Sequence, residues 1–374
     1  MRIGIDCRIY GTGFTGIGRY TYELVKHYIE ENDKLETPHE IVLFFNSPEY
    51  EKFSPAPHTQ KVLVNARHYS FSEQTNFLKK LYKEKCDVVH FPHFNVPVLY
   101  KKPFVVTVHD LTLSIFPGQK MTKWHHRAAY NLTIKSATKK AKKIIAISEN
   151  TKKDIIEYLK ISPDKIIVIP NGVDSQFREI KDESKINATL EKYSIKKEFL
   201  LYTGVWRSHK NLPRLIEAFS ILKKEKNADI ELVITGKPDP HYPEVKETVS
   251  KFNLQDDVVF PGMVEEEELI HLYNAAKIFT LPSLYEGFGL PVLEAMRCGT
   301  PVAASTSSSI PEVCGEENAI LFDPKNTRDI AEKMFLIYKD PELQAKLKEK
   351  GLSHAQKYSW EKTAHATFKE ITNV

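Results

Sequence analysis

The 374-residue sequence predicts an α/β protein built from two doubly wound, parallel-sheet domains. Short apolar, β-rich runs alternate with helical patterns through both halves, which is the signature of βαβ units with helices on both faces of a sheet. The chain is too long for one ordinary core and fits two domains of roughly 150–200 residues. A strong turn signal, Ile169-Pro170-Asn171-Gly172-Val173-Asp174, falls near the middle.

In the first half the apolar runs predict strands over 2–6, 40–46, 88–91, 104–109, 143–148 and 166–170. Helical patterns lie between them at 17–30, 72–85 and 149–159. After the turn, the polar segment 179–197 reads as a linker or a surface helix. Strands then follow at 199–204, 230–236, 258–261, 278–282 and 301–305, with helices at 212–226 and 265–276. In such a protein the default ligand site is the cleft facing the carboxyl ends of the strands.

Composition excludes several classes. No apolar run approaches the ~18–20 residues of a membrane span. The N-terminal Met-Arg-Ile-Gly-Ile-Asp lacks the pattern of a signal peptide. Cys7, Cys86, Cys298 and Cys314 are widely spaced, which predicts neither a disulfide framework nor a zinc site and suits the cytoplasm. A net charge of +4 is too mild to predict a nucleic-acid partner. Its distribution is uneven: Lys120, Lys123, Arg127, Lys135, Lys139, Lys140, Lys142 and Lys143 lie in a stretch free of acids, beside Trp124 and Tyr130. Residues 120–143 read either as a solvated helix face or as a surface that rests on anionic lipid, at the inner face of the plasma membrane, or holds an acidic acceptor.

Gly11, Gly13 and Gly16 spell G-x-G-x-x-G between a predicted strand and a predicted helix, the written form of a dinucleotide fingerprint. That fingerprint also expects an acid at the end of the second strand, and 40–46 ends in Asn46. A nicotinamide oxidoreductase is therefore the weaker reading. The most informative stretch is Thr280-Leu-Pro-Ser-Leu-Tyr-Glu286-Gly-Phe-Gly-Leu-Pro-Val-Leu-Glu294, where a strand ends, a glycine loop follows and a helix opens near Pro291. The amides of Phe288, Gly289 and Leu290 lie ahead of a helix N-terminus, a ready anion site. Carboxylates are repelled by phosphate, so Glu286 on the loop and Glu294, placed in the first helical turn, suit sugar and ribose hydroxyls; Glu294 also fits the helix dipole. In Tyr202-Thr-Gly-Val-Trp-Arg207-Ser-His-Lys210-Asn211, Arg207 and Lys210 are positioned to neutralise a diphosphate. Read alone, they are two solvated loop cations.

The stretch Glu286 to Glu294 resembles the E-x7-E motif of the retaining GT-B glycosyltransferases of family 4 (glycosyltransferase group 1). Arg207 and Lys210 resemble that family's phosphate-binding pair, Thr107-Val-His109-Asp its N-terminal histidine, and 170–174 its domain junction. Glycine elements at Val233-Ile-Thr-Gly236 and Val259-Phe-Pro-Gly-Met263-Val264 match too, so the resemblance spans nearly the whole chain. Gly16-Ile-Gly18-Arg-Tyr and Phe91-Pro-His93 look most like bacterial mannosyltransferases of surface-polysaccharide assembly.

The resemblance implies two facing Rossmann-like domains with a cleft between them. The acceptor domain would be 1–172, joined by a crossing helix at 358–374 with Ser359 as N-cap and Trp360 as anchor. The nucleotide-sugar domain would be 173–357. It implies a retaining hexosyltransferase with no cofactor and no metal, and no Asp-x-Asp occurs in the chain. GDP-mannose is the favoured donor, with UDP-hexoses possible, and the acceptor a saccharide or lipid-linked saccharide. His109 would bond the sugar's 6-hydroxyl or stabilise positive charge at the transition state. Glu286 would orient the sugar, Gly236, Met263 and Val264 would border the base, and Gly16 and Gly18 would form a mobile loop over the cleft. The alternatives are a nucleotide-sugar epimerase of similar fold and a non-catalytic nucleotide-sugar-binding partner.

Overall fold

The computed structural model describes all residues except 12, 15 and 119–123, so Lys120 and Lys123 of the basic stretch lie outside the described residues. The chain forms two compact units, one of Met1–Leu111, Lys120–Gly172 and Ser359–Val374, the other of Thr112–Gln119 and Val173–Tyr358.

The first unit holds a parallel sheet of β1 (Arg2–Cys7), β2 (Glu40–Phe45), β3 (Thr59–Leu63), β4 (Val88–Phe91), β5 (Phe104–Val108), β6 (Lys143–Ala146) and β7 (Ile166–Val168), in the order β3-β2-β1-β4-β5-β6-β7. The second holds β8 (Phe199–Tyr202), β9 (Glu231–Thr235), β10 (Val258–Gly262), β11 (Ile278–Leu281), β12 (Val302–Ser305) and β13 (Ile320–Phe322), in the order β10-β9-β8-β11-β12-β13. Central strands are buried on both faces, as parallel sheets require, and so read as continuous apolar runs. In each sheet the order reverses once, at β1/β4 and at β8/β11. In open parallel sheets, ligands bind outside the carboxyl ends of the strands at such a reversal.

Two local readings change and a third is narrowed. The 72–85 pattern is a π-helical turn, Glu73–Phe77, followed by a short helix, Leu78–Lys83. The polar 179–197 segment contains the helix Glu183–Lys192, capped by the Asp182 carboxylate. Gly16 and Gly18 form no loop: they open the helix Gly16–Asn32. Gly18 is buried because the preceding loop folds back on it. A Cβ there would lie 2.4 Å from the Gly11 carbonyl oxygen and 2.5 Å from Phe14 Cβ, closer than any side chain tolerates.

The last helix, Trp360–Thr372, returns to the first unit and packs on Gly16–Asn32. The Ser359 hydroxyl accepts the Lys362 amide at its start. Trp360 is buried, its ring 5.9 Å from that of Tyr20. A Cβ on Gly172 would lie 2.1 Å from the Trp360 nitrogen, so only glycine lets the two segments pass.

Candidate active site

In the second unit, the loop leaving β11 carries the E-x7-E stretch. Gly289 caps the helix Leu290–Arg297 with φ +101°, a left-handed conformation that favours glycine. Pro291 follows in the first turn, where its missing N–H costs nothing. The amides of Phe288, Gly289 and Leu290 therefore lie at the N-terminal end of this helix, the positive end of its dipole. The loop is pinned by side chains that sequence reasoning missed. The Ser308 hydroxyl accepts the Glu286 amide at 2.8 Å, and the Ser309 hydroxyl lies 2.9 Å from the Glu286 carbonyl and 3.0 Å from that of Phe288. The run Ser307-Ser308-Ser309 is its only local signal.

Arg207 and Lys210 leave the neighbouring strand end, that of β8. The Leu284 amide donates to the His209 carbonyl at 2.7 Å, tying the two loops together. Lys210 Nζ donates to both Glu286 oxygens at 2.7 and 2.8 Å, and the Ser283 hydroxyl adds a third bond at 2.7 Å. The Lys210 and Glu286 side chains are 15% and 13% exposed, low enough to strengthen the pair and open enough for exchange. Arg207 Nη1 pairs with Asp239 and donates to the Trp206 carbonyl at 2.8 Å. Neither cation is a solvated loop charge.

Glu294 lies beyond the first helical turn, as the fifth residue of Leu290–Arg297. Its position is better explained by a buried chain of hydroxyls: Thr203 bonds Tyr273 at 2.9 Å, and Tyr273 donates to Glu294 Oε2 at 2.9 Å. Gly236 has φ +103°, and a Cβ there would lie 2.0 Å from the Gly204 carbonyl oxygen. Its amide donates to the Gly262 carbonyl at 2.8 Å, which brings the ends of β9 and β10 together. Next to them Met263 is exposed and Val264 half-buried.

In the first unit, β5 ends at Val108 and His109 follows, buried. His109 Nε2 lies 2.7 Å from the Pro92 carbonyl, which only accepts, so Nε2 carries the proton. Burial depresses the imidazole pKa, which keeps the ring neutral and leaves Nδ1 as an acceptor. The Tyr20 ring packs edge-on at 4.8 Å and fixes its plane. At the end of β1, Arg8 is sealed among Asp6, Glu73 and the Asn95 carbonyl, over the Phe77 ring.

Along the helix Trp124–Lys140, Trp124 is 79% and Leu132 60% exposed, with Lys135 and Lys139 on the surface. Lys140 donates to the Val98 carbonyl, and Lys143 pairs with Glu370. Among the described residues no helix is long and apolar enough to cross a membrane.

The profile "Glycosyltransferase Family 4" matches residues 14–177, and "Glycosyl transferases group 1" matches 185–354. Serotype-specific mannosyltransferase WbdA of Escherichia coli is 35% identical over 238 residues, 63% of this chain but 29% of its own. The chain thus spans well under half the length of that relative. O-antigen chain mannosyltransferase B of Escherichia coli is 27% identical over 364 residues, 93% of each chain. Sucrose-phosphate synthase from Thermosynechococcus elongatus superposes with a TM-score of 0.79 at 20% identity, covering 100% of this chain and 98% of that one. The two parallel-sheet units, with the last helix returning to the first, are the GT-B fold. Between them the two profiles account for nearly the whole sequence, and the chain belongs to the family 4, group 1 glycosyltransferases.

Proposed function

We propose that this protein moves a hexose, with mannose from GDP-mannose favoured over a UDP-hexose, to a hydroxyl of a saccharide or lipid-linked saccharide in surface-polysaccharide assembly. The observation that carries the site is the joining of the β8 and β11 loops, by the Lys210–Glu286 pair and the Leu284–His209 bond, with Arg207 on the first loop and the amides of Phe288, Gly289 and Leu290 on the second. Those groups suit the diphosphate of a donor bound to the second unit. Glu294, held by Tyr273, suits the ribose diol, and Glu286 the sugar hydroxyls. Gly236, Met263 and Val264 border the base. The preference for mannose rests on the printed names of the two Escherichia coli relatives.

As the bond from the anomeric carbon to phosphate oxygen breaks, its electron pair stays on the diphosphate. Arg207 and Lys210 stabilise that charge from fixed positions. The acceptor oxygen attacks the same face, and its proton passes to the departing phosphate, so the configuration is retained. His109 serves as a neutral hydrogen-bond acceptor for the sugar's 6-hydroxyl, a role its tautomer favours over stabilising positive charge. No Asp-x-Asp is present, and transfer is read as metal-independent. The acceptor binds the first unit, and Trp124, Leu132, Lys135 and Lys139 suit contact with anionic lipid at the cytoplasmic face.

A donor panel tests this: GDP-mannose, UDP-glucose and UDP-galactose, each scored for nucleoside diphosphate release and for product anomer. Failure to turn over any donor, an inverted product, or sugar isomerisation without an acceptor sinks the reading. His109→Ala is expected to lower the transfer rate and Glu294→Ala to weaken nucleotide binding. Unchanged behaviour in both removes the site assignment.

A further inference from the structure

The loop between β9 and the helix Glu244–Lys251 reads Lys237-Pro-Asp239-Pro-His-Tyr242-Pro243. Its three prolines restrict the backbone, and it closes as a turn in which the Tyr242 amide donates to the Asp239 carbonyl at 2.9 Å. Asp239 Oδ1 accepts the His241 amide at 3.0 Å, which aims Oδ2 at Arg207. The Tyr242 ring lies 5.6 Å from the Arg207 guanidinium carbon, so carboxylate and ring hold the cation together. The Arg207 side chain is 28% exposed and that of Asp239 16%. The pair is therefore reachable by water and by a competing anion.

We propose that Asp239 is an affinity-setting residue: its carboxylate occupies the Arg207 guanidinium in the empty site and must be displaced by the donor diphosphate. This rests on the reading of Arg207 as a diphosphate ligand. A carboxylate and a phosphate oxygen seek the same N–H groups of a guanidinium, so every binding event breaks one charge pair to make another. The exchange lowers affinity for donor and product alike. It favours release of the nucleoside diphosphate after transfer, a step that limits turnover in many enzymes.

The test is a double-mutant cycle by calorimetric titration of GDP, UDP and, as a probe without phosphate, guanosine. Asp239→Asn keeps the turn-forming carbonyl and the shape but removes the charge. It is expected to tighten GDP or UDP about two- to fivefold, the scale of a partly exposed ion pair. Guanosine affinity should not change, and the gain should shrink or vanish in an Arg207→Ala background. Two results overturn the inference while leaving the diphosphate reading intact: Arg207→Ala weakens GDP but Asp239→Asn does not tighten it, or the gain is equal in both backgrounds. The second means that Asp239 acts by bulk repulsion. If Arg207→Ala leaves GDP and UDP affinity untouched, the reading of Arg207 and this inference fall together.

Discussion

Tyr273→Phe isolates the ribose contact assigned to Glu294. The substitution removes one buried oxygen and leaves the ring packed against Phe177 and Phe279, at 5.9 and 5.5 Å. What disappears is a 2.9 Å bond to Glu294 Oε2 and the partner of the Thr203 hydroxyl. A hydrogen bond to a charged acceptor contributes about 1.5–3 kcal/mol, and folding stability should fall by that order. The same range bounds the effect on binding. Without Tyr273 the carboxylate loses a hydrogen bond that orients it towards ribose, so Kd for GDP should rise, by about tenfold where the lost bond is worth the lower end of the range. Calorimetric titration with GDP and with pyrophosphate reads this directly, alongside urea denaturation. GDP should weaken and pyrophosphate should not, and adding Glu294→Ala to Tyr273→Phe should give no more than Glu294→Ala alone. A variant that loses stability yet binds GDP within a factor of two refutes the positioning role. Equal weakening of pyrophosphate places the effect on the phosphates and removes Glu294 from the ribose.

Gly236→Ala forces φ +103° on a residue with a Cβ and drives that atom to 2.0 Å from the Gly204 carbonyl oxygen. A cost of at least about 2 kcal/mol and loss of GDP binding are expected; wild-type denaturation and titration curves would contradict the loop packing described. Burial holds His90 at a pKa of about 3 and His68 at about 4, and depresses His93 and His109 as well. Each is neutral when folded but takes up a proton on unfolding below about pH 6.5, so stability is full above that pH and falls on acidification, by up to about 1.4 kcal/mol per pH unit for each group. Urea denaturation at pH 7, 6 and 5 measures the slope, which His90→Gln should reduce; an unchanged slope would show that His90 does not titrate on unfolding.

What could be read without coordinates was local. Strand ends, glycines and a proline follow one another within residues 280–294, and that punctuation places the strand–loop–helix turn with no knowledge of the rest of the chain. β3 escaped because Thr59, Gln60 and Lys61 break the apolar run of an edge strand whose position is set by pairing with β2. The partners of the site escaped for a related reason. Asp239 meets Arg207 across 32 positions, and Tyr273 meets Thr203 across 70, and no periodicity links residues so far apart. Gly16 and Gly18 misled in the opposite direction. Glycine in a helix interior costs about 1 kcal/mol, so their spacing argues for a loop until the Gly11 carbonyl is seen against the helix. The residue type at His109 was legible, but its charge was not, because burial belongs to the assembled fold.

The two sheet reversals show why fold alone does not place chemistry. Both hold charged side chains beside a strand's carboxyl end, Arg8 after β1 and Arg207 and Lys210 after β8. At β1/β4 the Arg8 side chain is 0% exposed, with its partners Asp6 at 6% and Glu73 at 1%. Removing one partner from such a cluster strands a buried charge at about 3–5 kcal/mol, so these groups cannot trade partners with a ligand and instead brace the loops around them. After β8, the Lys210–Glu286 pair to the β11 loop and the Arg207–Asp239 pair to the β9 loop keep between 13% and 28% of each side chain open. Water softens the loss of a partner there, which is what the proposed exchange of Asp239 for a diphosphate at Arg207 requires. The difference is one of exposure rather than topology: a sealed cluster can only brace the loops around it, whereas a partly open one meets the requirement of the exchangeable anion site proposed above.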